Sequence, residues 1–293
     1  MSTTQAYSQG VSAMHMMGDY PLDKYRPLSM AGSGHYAMVY FSLRLEDYHA
    51  FVKTKANNTF DKLRSKLVAV KVYADRPADS TELATLRAIQ ANADEDIRNS
   101  LASLIDHGHK WVASKAIAPA VTALDLEYPI PEEMVLNIIL GMSRACRFLY
   151  ENCAGRQHGD LHGHNMIIDT SSRDKYGLPR LVVIDFDQSK PVTSFNDAWQ
   201  DFRTYVRLIL GSLTDANYGA PVEGWDDIND YISNDARLAS FGGVIDAIEA
   251  QLAKTLASTT PERLQAVREY VSGSTAKKEA TLRIAFREAG LME

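Results

Sequence analysis

The first third of the chain carries short apolar, β-branched runs broken by glycine and polar stretches. The rest repeats apolar positions every three to four residues. Tyr25 to Met30 leads into Ala31-Gly32-Ser33-Gly34-His35, and Tyr36 to Phe41 continues as a second strand, which predicts a hairpin turning on glycines. A polar, Lys-rich stretch from about Arg44 to Ser65 reads as an inserted loop or short helix. Leu67 to Tyr73 is a β-branched apolar strand carrying one lysine, Lys71. Asp79-Ser80-Thr81-Glu82 offers an N-cap for a helix over Leu83 to Ile89. Two further strands are expected around Leu101 to Asp106 and Trp111 to Ile117, before a break at Pro119. From Glu132 to Glu151, Val135, Ile138, Ile139, Met142, Phe148 and Leu149 fall at helical spacing. A short β-pair, Met166 to Ile168 with Leu181 to Ile184, interrupts the helices. Asp197 to Leu213 and most of Asp227 to the end return to helix. Ala276 to Leu291 reads as amphipathic, with Leu282, Ile284, Ala285 and Leu291 available for core packing.

This order predicts an α+β fold in two lobes with a cleft between them. Residues 1–22 would be a loose tail, 23–117 a sheet lobe with an insertion at 44–65, and 118–293 a helical lobe. At 293 residues, 45% hydrophobic and 23% charged, the chain has ample core for this arrangement. The net charge of -6 and the lack of a basic block argue against nucleic acid as a partner. No stretch approaches the ~20 apolar residues of a membrane span. The N-terminus lacks the basic start and apolar run of a secretory signal. The expectation is a cytoplasmic protein with no membrane partner, and secretion by a signal-less route stays open. Cys146 and Cys153, seven apart on a helical segment, are too distant to bridge and read as reduced core thiols.

Five features carry candidate chemistry, each with a plainer alternative. Gly32 and Gly34 permit close backbone approach, so amides there can face phosphate oxygens; a simple turn reads as well. Lys71 in an apolar strand wants an anionic partner, and Glu82 is suitable; an edge strand with a solvated lysine is the alternative. His158-Gly159-Asp160-Leu161-His162-Gly163-His164-Asn165 places an aspartate and, five positions on, an asparagine between apolar elements. Its alternatives are a zinc site from His158, His162 and His164, or a polar surface loop. Asp185 emerges after four apolar residues, as a functional carboxylate or a strand terminator. Asp187 has the same ambiguity. Asp160, Asn165 and Asp185 together are the oxygen groups that magnesium-dependent phosphoryl transfer needs.

In sequence order these features resemble the protein kinase-like phosphotransferase superfamily, over about residues 23 to 215. The resemblance implies a bilobal protein kinase-like fold and an enzyme using ATP and Mg2+ to phosphorylate an alcohol group. It implies that Gly32, Ser33, Gly34 and Ala37 cover the phosphates, with Val39 and Ala69 also at the nucleotide. Lys71 would contact the α- and β-phosphates and pair with Glu82. Asp185 and Asn165 would be the metal ligands, and Asp160 would orient the acceptor hydroxyl. The stretch from Ser114 to Ala118, through Ala116 and Ala118, would be the hinge for adenine. His158 would pack near Asp185, and Asp201 would brace the catalytic loop.

The chain departs from regulated protein kinases in three places. Gly159 stands where many carry arginine, Asp187 where glycine is usual, and only Gln188 to Gln200 separates Asp187 from Asp201, with no Ala-Pro-Glu motif. A compact, unswitched kinase without a peptide platform is expected. The His-Gly-Asp-Leu-His-x-x-Asn wording is similar to aminoglycoside and choline phosphotransferases, whereas Val68-Ala69-Val70-Lys71 is similar to protein kinases. The acceptor expected is therefore a protein serine or threonine, with a small-molecule hydroxyl as the alternative. A nucleotide-binding scaffold without transfer is a third reading.

Overall fold

The computed structural model describes residues 19–293 other than 35, 75–80, 93, 128–129 and 214–240. The side chains of residues 95–96, 201, 207–213 and 244 also lie outside the description. The chain forms two compact units. The first comprises residues 1–84, 103–120 and 276–293, and the second residues 85–102 and 121–275.

In the first unit, strands β1 (Tyr25–Ser33), β2 (Ala37–Arg44), β3 (Val68–Tyr73), β4 (Leu104–His107) and β5 (Trp111–Lys115) form one antiparallel sheet in the order β1-β2-β3-β5-β4. Period two separates the faces of β3. Val68, Val70 and Val72 pack with Tyr20, Tyr25, Tyr40, Trp111 and Ala113 on one side. Ala69, Lys71 and Tyr73 lie on the other. Tyr20, grouped with the tail on sequence grounds, is held in this core, its hydroxyl 2.6 Å from Ser42 Oγ.

The Lys-rich stretch folds as two α-helices, α1 (Leu45–Lys53) and α2 (Phe60–Arg64), with a 3-10 turn at Lys55–Asn57 between them; the second is capped by Thr59, whose side chain accepts from Lys62 N. Phe51, Phe60 and Leu63 join Leu28, Phe41, Leu43 and Ala118 in a second core. Leu282, Phe286 and Leu291 complete it from the far end of the sequence. Asn58 Nδ2 donates to both Phe51 O and Leu291 O at 2.7 Å, and Tyr48 Oη donates to Ala289 O at 3.3 Å. Residues 276–293, drawn into the helical lobe by their periodicity, thus pack in the sheet unit.

Helix α3 (Thr81–Asn92) starts in the first unit and continues into the second, which also holds α4 (Glu95–Arg98). The second unit centres on α5 (Glu132–Asn152), whose buried positions run through Met134, Ile138, Met142 and Leu149. Strand β6 (Val121–Thr122) flanks the hairpin of β8 (Met166–Arg173) and β9 (Pro179–Val183); β7 (Arg156–Gln157) pairs with β10 (Lys190–Pro191). Helices α6 (Phe195–Leu213), α7 (Phe241–Ser258) and α8 (Pro261–Glu288) follow, and α8 ends in the first unit. The helix expected from Asp227 lies partly outside the described residues. Cys146 and Cys153 are buried thiols outside any disulfide; Cys153 stands just past the end of α5. Among the described residues no helix is long and apolar enough to cross a membrane.

Candidate active site

The sheet unit brings Lys71 and Glu82 together. Lys71 is on β3, the central strand, paired with Val39 on one side and Val112 on the other, so the edge-strand reading is overturned. Its Nζ stands 2.8 Å from Glu82 Oε2, and both side chains are buried, at 12% and 6% exposure. Tyr73, two positions on and so on the same face, donates its hydroxyl to the same Oε2; its ring centroid is 5.4 Å from Lys71 Nζ. Sequence reasoning missed Tyr73, although its spacing from Lys71 was legible.

The residues expected at a nucleotide share that face. Val39 lies directly opposite Lys71, and Ala37 opposite Tyr73, in the β2–β3 register; Ala69 is one pleat along. In the hairpin, Gly34 N donates to Ala37 O at 2.9 Å. Neither Gly32 nor Gly34 needs to be glycine for the fold. Both lie outside the left-handed region; a Cβ on Gly32 would meet nothing within 4 Å, and one on Gly34 only Ala37 O at 3.8 Å. Ser33 ends β1 beside them and is exposed. At the expected hinge, Ala116 N donates to Leu67 O at 3.3 Å. Ala116 is partly buried against the second apolar core, and Ala118 is buried within it.

The helical unit assembles Asp160, Asn165 and the approach to Asp185. The β8–β9 hairpin pairs Met166 with Val183, and the ladder continues one step as Ile184 N donates to Asn165 O at 3.0 Å. This brings Asn165 and the residue before Asp185 to one end of the hairpin. Two devices seat β9. Gly141 of α5 leaves space for Leu181, which a Cβ there would approach to 2.7 Å, and buried Asn137 Nδ2 donates to Pro179 O at 2.8 Å. Asp185 itself has φ 62°, a left-handed backbone that is uncommon for a residue with a side chain and costs roughly 1–2 kcal/mol.

Asn165 is buried and its Nδ2 donates to Asp160 O at 2.8 Å, with Asp160 Oδ2 at 3.4 Å. The amide nitrogen therefore faces Asp160, which leaves Oδ1, a hard oxygen, on the other side of the amide. His162 Nδ1 accepts from His164 N at 3.2 Å, so the neutral ring carries its proton on Nε2, 3.5 Å from Asp160 Oδ2. His158 is fully committed: Nδ1 accepts from Asp160 N, Nε2–H donates to Ile184 O at 3.0 Å, and the ring tilts against Phe186. Burial pushes its pKa down to about 4, so the ring is neutral. It is not available to a zinc ion. Among the described residues no three His, Cys, Asp or Glu converge as a metal site. Asn165 and Asp185 could hold a hard cation through their side-chain oxygens, a donor set that fits magnesium, which takes waters and phosphate oxygens in its remaining positions.

The segment after Asp185 is short and tied down. Asp187 lies outside the left-handed region, so an aspartate there adds no strain. Ser189 N donates to Phe186 O at 3.1 Å, Ser189 Oγ to Gln157 O at 2.8 Å, and Lys190 and Pro191 pair with β7. Gly159 faces this segment with φ 81°, and a Cβ there would lie 2.2 Å from Gln188 O. Arginine at this position is sterically barred, a reason that sequence alone did not supply. Asp201 falls on α6, with its side chain outside the description.

No family model matches the sequence, and no curated protein matches it. Among solved structures, the crystal structure of the BubR1 kinase domain aligns with a TM-score of 0.55, over 96% of this chain and 97% of that chain, at 13% sequence identity. At that identity the likeness establishes the protein kinase-like fold alone.

Proposed function

We propose that this protein is an ATP- and magnesium-dependent phosphotransferase that moves the γ-phosphoryl group to a hydroxyl. The observation that carries the reading is the buried pair of Lys71 on the central strand with Glu82 at the start of α3. Removing two charges from water costs several kcal/mol per ion, and an apolar pair would fill the same place without that penalty. A pair retained for function accounts for it: Lys71 holds the α- and β-phosphates while Glu82 orients it. The hairpin supports this, since Gly32 and Gly34 leave open space that their own fold does not use. In the helical unit Asp185 and Asn165 are the ligands for magnesium, which when bound neutralises phosphate charge. Asp160 accepts the proton of the attacking hydroxyl, and its Oδ2 is oriented by Asn165 and His162.

The acceptor proposed is a protein serine or threonine. A second reading, a small-molecule alcohol, is favoured by the short link from Asp187 to α6, which is paired to β7 and offers no long platform for a peptide. The test is incubation with γ-labelled ATP and magnesium, alone, with generic proteins, and with small polyols and amino alcohols. Label should move, and Asp160→Ala and Asp185→Ala should each abolish the transfer. Transfer that survives both substitutions refutes the assigned roles. ATP binding without transfer to any acceptor supports a scaffold instead.

A further inference from the structure

The structure assigns Tyr73 as a positioning residue that keeps Glu82 satisfied while Lys71 is shared with nucleotide phosphates. The inference rests on the phosphotransferase reading and deepens it. Glu82 is buried, and its Oε2 receives two donors, the Lys71 ammonium and the Tyr73 hydroxyl. A lysine that also binds phosphate divides its three N–H groups between two anions. With Lys71 as its sole partner, Glu82 would then be a buried carboxylate losing its compensation as the ligand arrives. That cost would be subtracted from nucleotide affinity. The Tyr73 hydroxyl is a second, uncharged donor to the same oxygen. Its ring is fully buried on the same strand, so the hydroxyl is held toward Oε2 by packing that is separate from the lysine. The ring adds a second contribution, its face lying 5.4 Å from Nζ and restricting where the ammonium can rest.

The sheet register makes this arrangement local. Lys71 and Tyr73 are two residues apart on a strand paired on both sides, so both side chains emerge on one face without help from a loop. Glu82, at the first turn of α3, is the element that has to be held. Tyr73 gives it a tether to β3 that does not depend on the nucleotide, so the pair is assembled before binding.

The test is a double-mutant cycle read on ATP. Tyr73→Phe keeps the ring and the core volume and removes only the hydroxyl. It should raise the KM and Kd for ATP about tenfold, the scale of one hydrogen bond to a charged group, and leave kcat within twofold. In a Glu82→Gln background the same substitution should change ATP affinity less than twofold, because the hydroxyl acts through the carboxylate. A tyrosine that served only as packing would give equal effects in both backgrounds. Unchanged KM in a folded Tyr73→Phe protein, or additive effects, would overturn the inference while leaving the phosphotransferase reading intact. Absence of ATP binding by the unmodified protein would overturn both.

Discussion

Gly159→Ala tests whether the link after Asp185 is locked by backbone contact. The position has φ 81°, and the added Cβ would sit 2.2 Å from Gln188 O, 2.9 Å from its carbonyl carbon and 3.3 Å from its Cβ. The first two are backbone atoms and cannot swing aside. Gln188 is held by its neighbours: Ser189 reaches Phe186 O and Gln157 O, and Lys190 pairs with Gln157. A left-handed alanine costs about 1–2 kcal/mol and overpacking about 1–3 kcal/mol, offset by roughly 0.4–1 kcal/mol from a stiffer unfolded chain. The expected loss is about 2–4 kcal/mol, a large part of the 5–15 kcal/mol typical of a domain. Urea unfolding followed by tryptophan fluorescence measures it, with Gly273→Ala as a control at a site where a Cβ meets nothing within 4 Å. A loss below about 1 kcal/mol, within the ordinary range of a surface substitution, would refute the steric argument.

Three further outcomes follow from other contacts. Lys71→Met leaves buried Glu82 without its cation and should cost about 3–5 kcal/mol in urea unfolding, whereas Lys71→Met with Glu82→Leu and Tyr73→Phe, which removes all three polar groups together, should recover most of that loss while remaining unable to transfer phosphate. His158 titrates near 6.5 in the unfolded chain and about 4 when folded. Above 6.5 both states are neutral; as pH falls the unfolded chain takes up the proton first, so stability should drop between pH 6.5 and 4. The loss should reach about 3 kcal/mol relative to His158→Gln measured in parallel, and identical pH slopes would contradict it. Phe286→Ala should remove about 3–5 kcal/mol from the sheet unit, because the ring is fully buried among Phe60, Leu282 and the β-sheet residues of that core. Limited proteolysis should then open sites between residues 45 and 65 before sites in α5, and the reverse order would place the C-terminal segment elsewhere.

Short apolar runs and the 3.6 period made the strands of the five-stranded sheet, α5 and the β8–β9 hairpin legible, because each element is rich in apolar residues that the fold buries. The candidate site was legible for a related reason. A lysine in an apolar strand and a carboxylate at a strand end break the pattern around them, and a break that is retained asks for a chemical cause. What escaped depends on partners far apart in sequence. The 45–65 stretch read as a Lys-rich insertion because Phe51, Phe60 and Leu63 have too few apolar neighbours to show a core. Their neighbours are Leu282, Phe286 and Leu291, more than two hundred residues away. By the same token, the periodicity of residues 276–291 showed an apolar stripe without saying which unit it would cover.

Glycines show the same division between local and distant causes. Gly32 and Gly34 stood out because they are spaced as a loop, yet nothing in the fold requires a bare Cα at either position. Gly159 drew notice as a missing arginine, and its actual constraint is a carbonyl from Gln188 that no local rule could place. A glycine that the fold requires cannot be assigned a ligand on its account. A pair of glycines that the fold does not require is free to answer to one. On that ground the hairpin, and not the Gly159 turn, is where substitutions by alanine should change ATP affinity and leave stability nearly untouched. Gly32→Ala and Gly34→Ala that weaken ATP binding while holding the unfolding midpoint would support a phosphate-facing loop. Unchanged ATP affinity in both would reduce the hairpin to a turn.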